Sequence, residues 1–384
     1  MNAGDLIYCK CCWVPSTRPR VTFSERGWCN ACEWNFEKKT LNWQERWTKL
    51  EEICDRYRHK DGSPDVIVGF SGGKDSLWVA YSLKEKLGMH PLLVTIMPHL
   101  ETEIGKWNRE NLCTKESGFE RLNITLKEDK YRDLAKFHFE DTGRPKHPWE
   151  TAISAVIINQ AVKLGIPFIM YGEEGEMEYG GSSREKDRWM LPCDKEYLMK
   201  FYWQEKLDWD IPSDEEFSKI FFTQFSRFEN WSPIKHAEFA KSKGMETLPT
   251  RSIGTFTNDC QLSDKMQDLH VYLMGIKFGF GRCTSDVCIA IREGWIERDE
   301  GLELIENYDG EFPQIYLNDY LDYFRMTKQR FNFTILKHAN TEILERSSDS
   351  LEAAHVWNLQ SWVAKKRRQG TKLEFINPTR YDFL

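Results

Sequence analysis

The sequence predicts an α/β protein in which a parallel sheet carries helices on both faces, with a small cysteine-rich module before it and a mostly helical region after it. Three observations predict this. Two C-x-x-C pairs, Cys9/Cys12 and Cys29/Cys32, stand near the amino end. Short apolar runs then alternate with helical patterns, which is how successive βαβ units read in a sequence. Beyond about residue 194 the alternation gives way to aromatic-rich helical sequence. The expected divisions are 1–60, 61–193 and 194–384.

The cysteine pairs have the spacing of a zinc ribbon. Each C-x-x-C hairpin offers two thiolates to one ion, and two hairpins complete a closed, structural S4 site. Pro15 and Gly27 suit the tight turns. Cys11 offers an alternative to Cys12 as the fourth ligand. The rival reading of the pairs as disulfides is disfavoured in a reducing compartment, where an iron–sulfur cluster or redox dithiol is the remaining alternative to zinc. A helical stretch from Trp43 to His59 follows and stops at Asp61-Gly62-Ser63-Pro64.

The central region offers strands at Val66–Phe70, Leu92–Met97, Leu122–Leu126 and Pro167–Tyr171, with helices at Leu77–Leu87 and Thr151–Leu164. Ligands of open parallel sheets bind at the carboxyl ends of the strands. Two chemically distinctive loops fall there: Ser71-Gly72-Gly73-Lys74-Asp75-Ser76, and the acidic segment after Tyr171. In the first, glycines let the backbone aim several N–H groups at one anion, and the helix start adds its positive dipole end. A Walker A loop is excluded, because only three residues separate Gly69 from Gly73 and Lys74 is followed by Asp75. Further on, Ile291–Glu306 reads as two short helical pieces around Gly294, and residues 339–384 as a helix pair with a tail.

Composition narrows the classes. With 40% hydrophobic and 29% charged residues the chain is ordinary globular protein. Its net charge of −7 argues against a surface built to neutralise many phosphates, so no nucleic-acid partner is expected. The basic run Lys365–Arg368 reads as a solvated helix face. No apolar run reaches about 18 residues and no basic, apolar leader opens the chain, so the expectation is a cytoplasmic protein without a membrane span.

The Ser71–Ser76 string resembles the SGGxDS signature of the PP-loop ATP pyrophosphatase superfamily, whose members cleave ATP to AMP and pyrophosphate. Several segments together resemble the bacterial N-acetyl sugar amidotransferase family within it, which installs acetamidino groups on sugars of surface polysaccharides and nonulosonic acids. These are Tyr8-Cys9-Lys10-Cys11-Cys12-Trp13-Val14-Pro15-Ser16-Thr17-Arg18-Pro19, Gly27–Cys32, the loop itself, Gly172-Glu173-Glu174 with Glu178-Tyr179-Gly180-Gly181, Lys277-Phe278-Gly279-Phe280-Gly281-Arg282, and Asp309–Pro313. Glu174 departs from the pattern, which has an amide side chain there, and no role is carried to it. A tRNA-thiolating PP-loop enzyme is the alternative, though it needs a further cysteine pair and a basic surface.

The resemblance implies ATP and Mg²⁺ as cofactors beside structural zinc. It implies that backbone N–H groups of Ser71, Gly72 and Gly73, with the Ser71 and Ser76 hydroxyls and Lys74, bind ATP phosphates, and that Asp75 holds Mg²⁺. Glu173, Glu176 and Glu178 are candidates for a second metal ligand or a proton acceptor, with no choice among them. Lys277 and Arg282 are candidates for a sugar-nucleotide diphosphate or uronate carboxylate, and Arg184, Lys186 and Arg188 form a second basic set. No glutaminase nucleophile is evident, since residue 2 is Asn and no cysteine sits in a G-x-C-x-G elbow. The resemblance therefore implies a separate glutaminase subunit, accompanied by a cyclase-like channel subunit.

Overall fold

The computed structural model describes residues 6–113, 117–181, 189–201 and 211–369. Its centre is a six-stranded sheet in the order β3-β2-β1-β4-β6-β5. The strands are β1 (Val66–Gly69), β2 (Pro91–Ile96), β3 (Glu120–Ile124), β4 (Phe168–Tyr171), β5 (Leu191–Pro192) and β6 (Phe221–Gln224). All pairings are parallel except β5 with β6, which is antiparallel at the edge. The last parallel strand, β6, comes from beyond residue 193, inside the segment expected to be helical.

Why β1 lies at the centre follows from its composition. Val66, Ile67 and Val68 are all buried, as in strands covered on both faces. Val66 and Val68 face a core that includes Leu50 and Ile53 of α2 (Trp43–Tyr57), Leu77 and Ala80 of α3 (Lys74–Tyr81), and Ala240 of α10 (Pro233–Ser242). Ile67 faces the opposite core, where α6 (His147–Leu164) supplies Ala152, Ala155 and Ile157. Asn42 starts α2 by accepting the Glu45 N–H, and α3 runs on through a π-turn at Ser82–Lys86. Between these lie α4 (Glu103–Asn111), α5 (Glu128–Thr142), α7 (Gly175–Tyr179), α8 (Lys195–Phe201) and α9 (Asp214–Ser218).

The carboxyl-terminal region packs α11 (Lys265–Phe278), α14 (Leu317–Phe324) and α15 (Lys328–His338) around Tyr272, Tyr320, Phe324 and Phe331, and this core takes Phe139 from α5. Helices α12 (Arg282–Glu293) and α13 (Arg298–Tyr308) flank Gly294, which caps α12 in the left-handed region at φ 78°. The expected pair of helical pieces is thus present. The expected helix pair after residue 339 is not: a hairpin of β7 (Leu344–Arg346) and β8 (Trp357–Leu359) precedes one helix, α16 (Ser361–Gln369), and residues 370–384 lie outside the described residues. No helix among the described residues is long and apolar enough to cross a membrane.

The cysteine module, with α1 (Asn30–Glu37), docks on α12 and α13 through Val287, Ile291, Leu302 and Ile305. Arg298 locks the junction. Its guanidinium lies 3.3 Å from the Trp13 ring centroid and donates to the Cys9 carbonyl, while Trp13 Nε1 donates to the Arg298 carbonyl.

Candidate active site

In the sheet order β1 has β2 on one side and β4 on the other, so the chain direction of winding reverses there and a crevice opens at the strand ends. The loop after β1 and the loop after β4 both enter it, as the sequence predicted. Gly72 makes the first turn at φ 78°, and a Cβ there would lie 3.0 Å from the Arg109 backbone nitrogen. Only glycine meets both conditions without strain. Ser71 Oγ accepts the Gly73 N–H at 3.2 Å, and Ser76 Oγ donates to the Gly73 carbonyl at 3.0 Å, so the loop is fixed by its own hydroxyls.

These residues line a cavity of about 830 Å³. One wall is the loop from Ser71 to Ser76 with Glu173; the other is Asp259, Cys260, Arg282 and Asp286 from the carboxyl-terminal region. Arg18 of the cysteine module and Lys146 of the segment before α6 complete the polar lining. Three parts of the chain meet at one site.

Asp75 is the electrostatic centre. Its Oδ1 accepts from His236 Nδ1 at 2.8 Å, and its Oδ2 lies 3.4 Å from Lys74 Nζ. Burial would raise this carboxyl, but Lys74 and His236 outweigh it and hold it below the usual carboxylate range. Burial would lower Lys74, yet Asp75, helped by Cys260 and Asp259, keeps it above the ordinary lysine range. His236 is 2% exposed, with its Nε2 3.6 Å from Glu229. Its ring stacks on Trp78 at 5.1 Å and meets Trp231 edge-on at 4.3 Å. Burial works against its charge, but Asp75 and Glu229 raise its pKa. Glu173 is pushed up by burial and then by the Asp75 charge.

The other candidates separate. Arg282 lines the cavity, held by a two-pronged pair to Asp286 (3.0 and 2.9 Å) and by a 2.8 Å contact from Nη2 to Cys260 Sγ. Lys277 does not: it lies in the last turn of α11, and its Nζ donates to the Thr142 carbonyl at 2.6 Å. Glu176 and Glu178 also leave the set, because α7 turns them away from Glu173. Glu176 pairs with Arg20, and Glu178 is buried against Lys38 Nζ (2.8 Å) and Trp34 Nε1 (2.9 Å). Arg184, Lys186 and Arg188 lie outside the described residues. Lys146, paired with Asp264 at 3.3 Å and with Gln267, takes the place in the lining expected of Lys277.

Sequence reasoning missed His236, which sits 161 residues from its partner Asp75 with no motif around it. Its one local signal is Ser232-Pro233, a helix start whose Ser232 Oγ accepts the Lys235 N–H. That signal marks the helix, not the partner.

The four cysteines fit zinc. Sulfurs at about 2.3 Å from a tetrahedral ion lie about 3.8 Å apart. Cys9 and Cys32 are 3.8 Å apart, Cys12 and Cys29 are 3.7 Å apart, and all four Sγ atoms lie within 4.8 Å of one another in a buried cluster. Backbone N–H groups of Cys11, Cys12 and Cys29 point at Cys9 Sγ, as thiolates require. Cys12, and not Cys11, completes the set. For Mg²⁺ the fit is one carboxylate, Asp75, facing the phosphate cradle, which suits an ion that keeps its waters and binds with the nucleotide. Among the described residues no second preformed acidic cluster competes.

Strand order, glycine loop and the Lys74–Asp75–His236 constellation make a phosphate-binding site of the PP-loop kind. Comparison with known proteins agrees: residues 46–142 match the NAD synthase family, and residues 225–359 match the family described as LPS biosynthesis protein WbpG-like, C-terminal domain. Together the two matches support the resemblance to the N-acetyl sugar amidotransferases of the PP-loop superfamily. It is 29% identical over 104 residues to the NH(3)-dependent NAD(+) synthetase of Fusobacterium nucleatum subsp. nucleatum, a match over 27% of this chain and 38% of that protein. The chain thus spans well under half the length of that curated relative. A solved structure, the predicted subunit of tRNA methyltransferase from Methanocaldococcus jannaschii, is 17% identical and covers 56% of this chain and 87% of its own, with a TM-score of 0.28. Likeness that loose carries no argument.

Proposed function

We propose that this protein adenylates the acetamido carbonyl oxygen of an N-acetyl sugar and lets ammonia replace that oxygen, giving an acetamidino sugar for lipopolysaccharide or O-antigen synthesis in the cytoplasm. The observation that carries it is the single cavity shared by the phosphate loop and by Arg282 and Asp286 of the WbpG-like domain. At about 830 Å³ it is at the large end of small-molecule sites, room for a nucleotide and a second substrate together.

An acetamido carbonyl is a weak electrophile, and its oxygen leaves badly. Its oxygen attacks the α-phosphorus of ATP, the bond to the β-phosphate oxygen breaks, and pyrophosphate departs. N–H groups at Ser71, Gly72 and Gly73 hold that leaving group, with Lys74 and the hydroxyls of Ser71 and Ser76 beside it. Asp75 would hold Mg²⁺, which would neutralise charge on the phosphates when bound. His236 fixes the Asp75 carboxylate from behind. Ammonia then adds to the activated carbon, Glu173 accepts the proton it sheds, and AMP leaves with the former carbonyl oxygen. The raised pKa of Glu173 suits it to that role. Arg282 and Lys146 provide the positive side of the cavity for a sugar-nucleotide diphosphate or a uronate.

Ammonia is supplied by a separate glutaminase subunit with a cyclase-like channel subunit. On this reading the purified chain is expected to work with ammonium salts and to fail with glutamine. Mass spectrometry with ATP, Mg²⁺, ammonium chloride and a panel of UDP-linked diacetamido sugars and free nonulosonic acids tests the reading. AMP formation with replacement of one sugar oxygen by NH supports it; AMP absent with every sugar defeats the sugar assignment.

A further inference from the structure

Among the described residues, five cationic side chains line the active-site cavity: Arg18, Lys74, Lys146, Lys241 and Arg282. Four of them stand beside a carboxylate of this chain. Lys74 lies 3.4 Å from Asp75, Lys146 3.3 Å from Asp264, Lys241 3.8 Å from Asp259 and Arg282 2.9 Å from Asp286. Arg18 differs. Among the described residues its guanidinium has no ion pair and no hydrogen bond, and it rests against the Phe280 ring, 5.6 Å from the centroid. Its exposed neighbour Arg20, by contrast, pairs with Glu176.

Arg18 is no loose surface arm. Its side chain is half-buried, and that burial draws its pKa below the usual arginine range. The segment around it is fixed. The Arg18 N–H donates to the Pro15 carbonyl at 3.1 Å, the Val21 N–H donates to the Arg18 carbonyl at 3.3 Å, and Thr17 Oγ1 donates to the Phe278 carbonyl at 2.5 Å. The turn that follows Cys12 is thereby fastened to the end of α11, and it holds the guanidinium at the cavity wall. Withdrawing such a group from water without a countercharge costs free energy, which an anion arriving with a ligand offsets. The charged groups that act most on Arg18 are Cys288, Arg292, Cys29 and Cys12, none of them in the phosphate loop. The nucleotide phosphates have their own cradle at Ser71–Ser76, so the vacant cation serves the second substrate.

We propose that Arg18 is a substrate-binding residue that takes an anionic group, carboxylate or phosphate, of the sugar. That the second substrate is a sugar rests on the amidotransferase reading. Arg282 and Lys146 can help only by sharing charge already engaged by Asp286 and Asp264, whereas Arg18 offers a planar fork that no carboxylate of the chain occupies. The cysteine module thus reaches the chemistry through one side chain.

Calorimetry on the wild type, Arg18→Gln and Arg18→Lys tests this. Mg²⁺ and α,β-methylene-ATP, in which the bond to be broken is blocked, are present so that binding is read apart from turnover. Three probes are titrated: a UDP-linked diacetamido uronate, a UDP-linked neutral diacetamido sugar and a free diacetamido nonulosonic acid. The expected result is a sugar Kd raised about 10- to 100-fold in Arg18→Gln, the scale of a lost charge-assisted hydrogen bond. Arg18→Lys, which keeps the charge without the fork, falls between. Affinity for the nucleotide analogue and zinc content stay within about twofold of the wild type. Loss confined to the uronate and the free acid assigns the carboxylate, and loss confined to the two UDP-linked sugars assigns the diphosphate; either supports the proposal. Sugar binding unchanged in Arg18→Gln overturns it. Equal loss of sugar and nucleotide affinity, or loss of zinc in both variants, shows a structural role and also overturns it, as does a wild type that binds none of the probes. Sugar binding that depends on Arg18, in a wild type that forms no AMP with any sugar, defeats the amidotransferase reading and leaves the anion site standing.

Discussion

Replacing His236 by alanine isolates the least anticipated part of the site. The imidazole is held between Asp75 (2.8 Å) and Glu229 (3.6 Å), and its removal takes a charge-assisted hydrogen bond from the carboxylate facing the phosphate loop. Such a bond is worth about 1.5–3 kcal/mol. If it serves to aim Asp75, the loss appears in turnover as about 10- to 150-fold at 1.36 kcal/mol per tenfold. Side-chain geometry sharpens the test. Asparagine places an amide nitrogen near the position of Nδ1 and keeps the bond to Asp75, whereas glutamine reaches toward Nε2 and Glu229. The predicted order of turnover is wild type, then His236→Asn, then His236→Gln and His236→Ala together. The assay is pyrophosphate release with sugar and ammonium chloride at several Mg²⁺ concentrations, with thermal unfolding as a control. A folded alanine variant with turnover within about threefold of the wild type at saturating Mg²⁺ would refute the positioning argument.

Three further outcomes are expected. The purified protein carries one zinc per chain by elemental mass spectrometry, and Cys12→Ser loses it and on the order of 3 kcal/mol of stability, about 10 °C in Tm at 2–4 °C per kcal/mol, whereas Cys11→Ser keeps the metal. Asp268, buried beside Gln261 with Asp264, Lys146 and Arg282 around it, has its pKa raised by burial from 3.8 to about 7. The folded chain then holds that proton where the unfolded chain has lost it, so stability falls as pH rises from about 4 through 7, by on the order of 4 kcal/mol at 1.36 kcal/mol per pKa unit. Urea unfolding at pH 5 and pH 8 should show that slope in the wild type and a flatter one in Asp268→Asn; equal slopes would remove Asp268 as its source. Gly72→Ala, strained at φ 78° and pressed on Arg109, should weaken Mg–ATP binding by about tenfold in calorimetry, at 1–2 kcal/mol of strain, while leaving zinc content unchanged.

The parts of the molecule that were legible in the sequence are those whose chemistry is local. The Ser71–Ser76 loop carries its own glycines and hydroxyls and is fixed by bonds within six residues, and the cysteine pairs fix their metal geometry by spacing. Gly294 announced the break between α12 and α13 because a left-handed cap favours glycine. What escaped depends on distance or on short elements. His236 meets Asp75 only because α10 packs on α3. Glu176 and Glu178 looked equivalent to Glu173 as a run of acids, yet a single helical turn sends them to Arg20 and Lys38. The strands β7 and β8 have three residues each, too few for an alternation to emerge against helical neighbours.

Oxygen-18 in the acetamido carbonyl of the sugar substrate tests the central claim most directly. If that oxygen attacks ATP, the label must travel to the phosphate of AMP in a single turnover with ammonium chloride, and the account predicts AMP heavier by one oxygen-18 in step with acetamidino sugar formed. AMP without label, or label retained in the amidinated sugar or released as water, would contradict adenylation of the acetamido group.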